Sequence, residues 1–193
     1  MKTIFIPTKY NLNKEILQQI KKVKSPLIVT TAQFYDSLKQ LNLSPILILG
    51  CNTKNIDKIK KKFSSFLYIG SGKFHPLALI KYKKPIFTFN PLTNEFSKIS
   101  NEEINSYEKR KKGKLIKFYS SSKYGILVSL KPGQFNLNAA LKLQKKLQNS
   151  FIFFFNTLNP VELENFPDIE CWINTACNRI EGKGIINLED IKL

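Results

Sequence analysis

Three thiols and one imidazole are the groups in this 193-residue chain best suited to hold a metal: Cys51, Cys171, Cys177 and His75. A cysteine can fill a core, carry out redox chemistry or ligate a soft metal such as iron in an iron–sulfur cluster. Their spacing narrows the choice. None of the three forms a CxxC pair. A zinc site made by this chain alone would lack its usual fourth ligand unless His75 joined it. An odd number of cysteines without a secretion signal argues against a disulfide framework and for thiols kept reduced.

These residues depend on the elements that place them. Short apolar runs recur at 3–7, "PLIVTT" (26–31), "PILILG" (45–50), "SFLYIG" (65–70) and "PIFTFN" (85–90). Helix-compatible stretches at 13–23, 33–41 and 54–62 separate most of them. Strands alternating with helices at this spacing predict βαβ units and a buried parallel sheet. A long polar segment, 100–123, follows and opens on Ser100-x-x-Glu103, the pattern of a capping box. Gly113 weakens the expectation that it runs on as one helix. The alternation then restarts: "YGILVSL" (124–130), a helix through 136–149, "SFIFFFN" (150–156), a short helix from Pro160 and "CWINTA" (171–176). The expected fold is α/β, with two similar parallel-sheet domains at 1–99 and 100–193.

Ligands of open parallel sheets gather beyond the carboxyl ends of the strands. Cys51 follows one predicted strand and Cys177 another, so both stand where such folds place chemistry. Their matching locations favour paired ligands over packing. Cys171 begins its strand and reads as a core residue. His75, in "SGKFHP" (71–76), reads as a structural histidine rather than a base. The glycines and lysine there could cradle an anion, but they are not the GxxxxGK[ST] of a phosphate-binding loop. "KPGQ" (131–134) reads first as a turn. Its Lys131 and Gln134 could also bind a carboxylate or an amino-acid moiety. Gln33, in "TTAQF", either starts a helix or lines the same crevice.

The hydrophobic fraction is 42% and the charged fraction 23%, as in an ordinary globular protein. No apolar run reaches the roughly 18–20 residues of a membrane-spanning helix, and the N-terminus does not read as a signal peptide, so a cytoplasmic protein without membrane contact is expected. The net charge of +17 raises nucleic-acid binding. Only Arg110 and Arg179 are arginines, and the lysines are dispersed, which favours a solvated basic surface and weak RNA binding at most.

Several blocks taken together resemble one family. "TTAQFYDSL", "ILGCNT", "FLYIGSGKFHPLAL", "YGILVSLKPGQFNLNAALKLQKKL" and "CWINTACNRI" look like the archaeal 2-(3-amino-3-carboxypropyl)histidine synthases of diphthamide biosynthesis. The blocks run in family order from about residue 26 to the end, although Asn178 stands where the family has proline after the cysteine. The resemblance implies a transferase whose three α/β domains each give one cysteine to a [4Fe–4S] cluster. That cluster binds and cleaves S-adenosylmethionine to a 3-amino-3-carboxypropyl radical, which adds to a histidine of elongation factor 2. It makes Cys51 the second-domain ligand and Cys177 the third-domain ligand, with no ligand role for Cys171. Gln33, Lys131, Gln134 and Arg179 become candidates for holding S-adenosylmethionine or orienting the cluster. The family's first domain and its cysteine are not among these residues, so the expectation is the C-terminal subunit of a split enzyme. A separate N-terminal subunit would supply the third cysteine, within an oligomer that takes elongation factor 2 as substrate. A non-catalytic accessory subunit and a lysine-rich RNA-binding protein are the rival readings.

Overall fold

The structure, a computed structural model, describes residue 4, residues 8–48 and residues 53–192, the side chain of Lys54 excepted. All of the strand expected at 3–7 except Ile4, and the candidate ligand Cys51, lie outside the described residues. The chain packs as two compact units, Met1–Asn105 and Ser106–Leu193. The sequence reading sets its boundary at residue 100, whereas this division falls a few residues later.

In the first unit, α1 (Ile16–Lys21) precedes β1 (Pro26–Thr30), α2 (Ala32–Gln40), β2 (Ile46–Leu47), α3 (Lys54–Asp57), β3 (Ser65–Ile69), α4 (Phe74–Leu77), β4 (Ile86–Asn90) and β5 (Glu95–Lys98). The sheet order is β2-β1-β3-β4-β5. β1 pairs in parallel with β2 and β3, and β3 with β4, while β5 returns antiparallel through a hairpin. Every residue of β3 is buried, as expected for a central parallel strand covered on both faces. On α2, Phe34, Ser37 and Leu38 form the i, i+3, i+4 stripe that faces the sheet. Phe34 and Leu38 join Ile28, Leu67, Ile69 and Phe89 in one core cluster. Burial on this scale contributes about 1.5–3 kcal/mol per large apolar side chain.

α5 (Asn101–Ser120) is continuous through Gly113. Its start is the predicted capping box: Glu103 N–H donates to Ser100 Oγ at 3.1 Å, and Ser100 N–H donates to Glu103 Oε2 at 3.0 Å. The Lys73 ammonium also bonds Glu103, and this bond, with the Ser100 backbone bond, holds the carboxyl below its ordinary value.

The second unit contains β6 (Tyr124–Ser129), α6 (Leu137–Lys146), β7 (Ser150–Phe155), β8 (Cys171–Asn174) and β9 (Ile185–Asn187), with 3-10 turns at Pro160–Asn165 and Leu188–Asp190. Its sheet is fully parallel in the order β7-β6-β8-β9. All six residues of β6 are buried. Phe118, Ile126, Val128, Leu143, Cys171 and Ile173 share its core. Gly125 is required there, because a Cβ would lie 2.3 Å from the Trp172 ring on the neighbouring strand.

Candidate metal and cofactor site

In each sheet the connections leave in opposite directions from the first strand of the parallel run. From β1 the chain moves to β2 on one side and β3 on the other, and from β6 to β7 and β8. Such switch points open a crevice at the carboxyl ends of the strands. In the second unit, "KPGQ" follows β6 and the Cys177 segment follows β8, side by side across that opening.

The first of these segments is a tight turn. Gln134 N–H donates to Lys131 C=O at 3.1 Å, and Gly133 has φ +78°, as the third position of a type II turn after proline requires. Lys131 N–H is anchored on Ser129 Oγ at 3.2 Å. The Lys131 side chain is exposed and that of Gln134 half-buried.

The second segment is built on Asn174, a buried amide at the end of β8. Its Oδ1 accepts from Ala176 N–H at 2.9 Å. Its Nδ2 donates to Cys177 C=O at 2.9 Å and to Asn187 Oδ1 at 2.8 Å. The two backbone partners fix the orientation of the amide, since an N–H needs the oxygen and a carbonyl needs the nitrogen. Ile180 N–H donates a second bond to Cys177 C=O, and Asn187 Nδ2 reaches Asn178 C=O at 3.4 Å. Thr175 donates from both its backbone N–H and its hydroxyl to Leu127 C=O of β6, at 3.1 and 2.8 Å. Asn136, just past "KPGQ", donates to Thr175 C=O at 3.5 Å. The two loops are therefore tied to each other as well as to the sheet. Cys177 is half-buried on this frame, and Arg179 is exposed two residues on.

Cys171 occupies the other end of β8. A rise of about 3.3 Å per residue sets it roughly 10 Å from Asn174. It is 1% exposed, and burial raises its thiol to about 11, an effect that nearby Lys117 only partly offsets. Cys171 packs in the sheet core with Phe118, Ile126 and Ile173.

In the first unit, Gln33 lies in the first turn of α2, exposed, in a polar depression of about 270 Å³ that Lys9, Asn11, Asp36, Ser37, Lys39 and Gln40 also line. His75 stacks on buried Tyr68 with ring centroids 5.9 Å apart, and its Nδ1 lies 3.3 Å from the tyrosine oxygen. The tyrosine hydroxyl donates to Ser71 C=O at 3.2 Å. Tyr68 thus reaches both His75 and the Ser71 carbonyl in the turn after β3. Thr53 is buried, and its Oγ1 has no hydrogen-bond partner among the described residues. The structure therefore brings Lys131, Gln134, Cys177 and Arg179 around one switch point, and it places Gln33 on the other unit.

Asn174 and Asn187 are the contributors to the Cys177 loop that the sequence reading missed. A polar residue closing an apolar strand was a usable sign for Asn174. Asn187, ten residues beyond Cys177, carried no such sign.

Residues 1–183 match the family model described as "Putative diphthamide synthesis protein". The chain belongs to the diphthamide synthesis family. The 2-(3-amino-3-carboxypropyl)histidine synthase of Methanocaldococcus jannaschii is 33% identical, over 93% of this chain and 56% of the relative. That of Pyrococcus horikoshii is 30% identical, over 92% and 59%. A relative in Caenorhabditis elegans, 24% identical over 81% of this chain and 45% of its own, is named subunit 1 of the synthase. Crystal structures of Dph2 from Pyrococcus horikoshii, one of them with a 4Fe-4S cluster, superpose with a TM-score of 0.73 at 28% identity, covering 92% of this chain and 59% of theirs. The chain thus spans a little over half the length of these archaeal relatives.

The thiols fit an iron–sulfur cluster in part. Cys177 stands half-buried on a loop whose Cys177 carbonyl accepts from Asn174 Nδ2 and Ile180 N–H, neither bond engaging its sulfur. Cys171 packs in the core at the start of β8, and Cys51 is the remaining thiol of the sequence.

Proposed function

We propose that this chain is one subunit of a split 2-(3-amino-3-carboxypropyl)histidine synthase, the transferase of the first step of diphthamide biosynthesis. Cys51 and Cys177 are its two ligands to a [4Fe–4S] cluster, and the third thiolate comes from a separate subunit carrying the family's first domain. The observation that carries this reading is the Cys177 loop, held by Asn174 and Asn187 at the switch point beside "KPGQ". When bound, the cluster supplies one-electron cleavage of S-adenosylmethionine, releasing a 3-amino-3-carboxypropyl radical for a histidine of elongation factor 2.

The chain's own residues contribute binding and orientation. The Lys131 ammonium and the Arg179 guanidinium bring two positive charges to the crevice, suited to the carboxylate of S-adenosylmethionine. Gln134, half-buried on a turn anchored to β6, offers an amide to the same amino-acid end. Gln33, in the first turn of α2, is a further candidate for holding S-adenosylmethionine. The printed names of the eukaryotic relatives, subunit 1 of the synthase, support a multi-protein enzyme, and we place it in the cytoplasm as an oligomer.

The test is anaerobic co-expression with a polypeptide carrying the family's first domain, followed by incubation with dithionite, S-adenosylmethionine and elongation factor 2. The proposal expects methylthioadenosine and an aminocarboxypropyl group on the factor, both lost in Cys177→Ala. Cofactor cleavage unaffected by Cys177→Ala would leave only an accessory role. No cleavage in any mixture, together with RNA binding that survives high salt, would favour the nucleic-acid reading.

A further inference from the structure

Three lysine runs that lie far apart in the sequence enter neighbouring strands of the first unit. Lys21, Lys22 and Lys24 precede β1, Lys60, Lys61 and Lys62 precede β3, and Lys81, Lys83 and Lys84 precede β4. β3 pairs in parallel with β1 on one side and β4 on the other, with Pro26 opposite Ser65 and Phe66 opposite Ile86. The runs therefore share one end of the sheet, about 10 Å wide across three strands. It is the end opposite the carboxyl-end crevice of this unit.

Side chains tie the runs together. Ser64 Oγ and Ser65 Oγ donate to Lys24 C=O at 3.2 and 3.4 Å. The Lys84 ammonium donates to the carbonyls of Lys60 and Phe63. The Lys60 and Lys81 ammoniums stand 4.9 and 5.2 Å from the centre of the Tyr82 ring. Asp57 is the only acid within 20–26, 54–65 and 80–86, and Lys60 pairs with it at 3.1 Å. Lys60 and Lys84 are half-buried, and the other seven of the nine lysines are exposed. Lys83 is left-handed at φ +53°, a conformation that glycine takes at less cost, so what the lysine adds there is its charge.

We propose that this end of the first unit is a docking face for the phosphate backbone of a nucleic acid, RNA or DNA, held without regard to base sequence. The inference does not rest on the proposed cluster site. A compact field of lysine point charges attracts a dense linear polyanion. Both arginines lie in the second unit, so the face has no fork for base edges or for the anchors of a specific protein partner. The Tyr82 ring is occupied by two ammoniums and by Phe66, which leaves no stacking platform for bases. Val23, Phe66, Ile80 and Ile86 are buried, so these apolar neighbours cannot enter a lipid surface.

The test is fluorescence anisotropy of the full chain with labelled single-stranded RNA and DNA of about 20 nucleotides, from about 50 to 200 mM salt. With about five ammoniums on phosphates, log affinity falls against log salt with a slope of about −3.5, roughly a hundredfold loss over that range. Lys24→Gln, Lys61→Gln and Lys83→Gln combined, one from each run, should reduce the slope to about −1.4 and the loss to under about tenfold. Lys109→Gln, Lys112→Gln and Lys142→Gln combined remove the same charge from exposed positions of the second unit and should leave the slope unchanged. RNA and DNA are expected to bind equally, since nothing on the face selects a sugar or a base. Equal effects of the two triple variants would overturn the inference, because net charge alone would then account for binding. Absence of binding to either strand at about 50 mM salt, or a preference of about tenfold for one base sequence, would overturn it too. So would tighter binding to polyglutamate, which marks an acidic protein partner, or to phosphatidylserine vesicles, which mark a membrane.

Discussion

Replacing Asn174 by alanine removes three hydrogen bonds at once and tests whether the Cys177 loop is held as described. Cys177 C=O keeps the bond from Ile180 N–H, so its loss is mild. Ala176 N–H and Asn187 Oδ1 lose the Asn174 partner that each has at 2.9 and 2.8 Å. Each such group left unpaired in a buried setting costs about 1–3 kcal/mol. Water can reach part of this half-buried loop, so the sum should settle at about 2–4 kcal/mol. Asn174→Asp separates the contributions: it keeps the acceptor for Ala176 but loses both donors and sets a carboxylate against Asn187 Oδ1. It should therefore be at least as damaging as alanine. Urea unfolding of the isolated chain, followed by tryptophan fluorescence from Trp172 on the same strand, reads the stability. Native-state alkylation mapped by mass spectrometry reads the loop, with Cys177 expected to react several-fold faster in both variants. A stability within about 0.5 kcal/mol of wild type, the range of neutral surface changes, with unchanged Cys177 reactivity, would refute the argument.

Three further outcomes follow from single residues. Gly113→Ala should stabilise the chain by about 0.5–1 kcal/mol, because a Cβ there meets nothing within 4 Å and helical glycine is costly; denaturant titration checks this. Cys171, with its thiol raised to about 11 by burial, should resist iodoacetamide at pH 8 in the folded chain while Cys177 reacts; equal labelling of the two would contradict the core placement. The lowered Glu103 carboxyl contributes stability that is present above its unfolded value of 4.5 and lost as pH falls through the folded one. The deficit of Glu103→Gln measured at pH 7 should therefore shrink below about pH 4, and a deficit independent of pH would contradict the Lys73 and Ser100 contacts.

The alternation of apolar runs with polar helical stretches was enough to read two α/β units, because a parallel strand buried on both faces has no polar side to blur it. Helix α5 was equally plain from Ser100 and Glu103, and its course through Gly113 shows twenty residues of helix tolerating one poor former. The strands β5 and β9 were missed for opposite reasons. β5 is an exposed antiparallel edge rich in polar residues, and β9 is only three residues long. At the site, the turn chemistry of "KPGQ" and the core placement of Cys171 were legible from residue type and position. The Asn174–Asn187 pair was not, since it is a contact between strand ends that no local pattern encodes. Gln33 lies on the first unit, in a polar depression that Lys9, Asn11 and Asp36 also line.

The most direct test of the proposed shared cluster is the iron and acid-labile sulfide content of the anaerobically purified complex, taken together with its resonance spectrum. With the first-domain polypeptide present, the account predicts about four irons per complex, retained in Cys171→Ala and lost in Cys51→Ala and Cys177→Ala. A stable, stoichiometric cluster in this chain alone, or one that survives removal of Cys177, would contradict it.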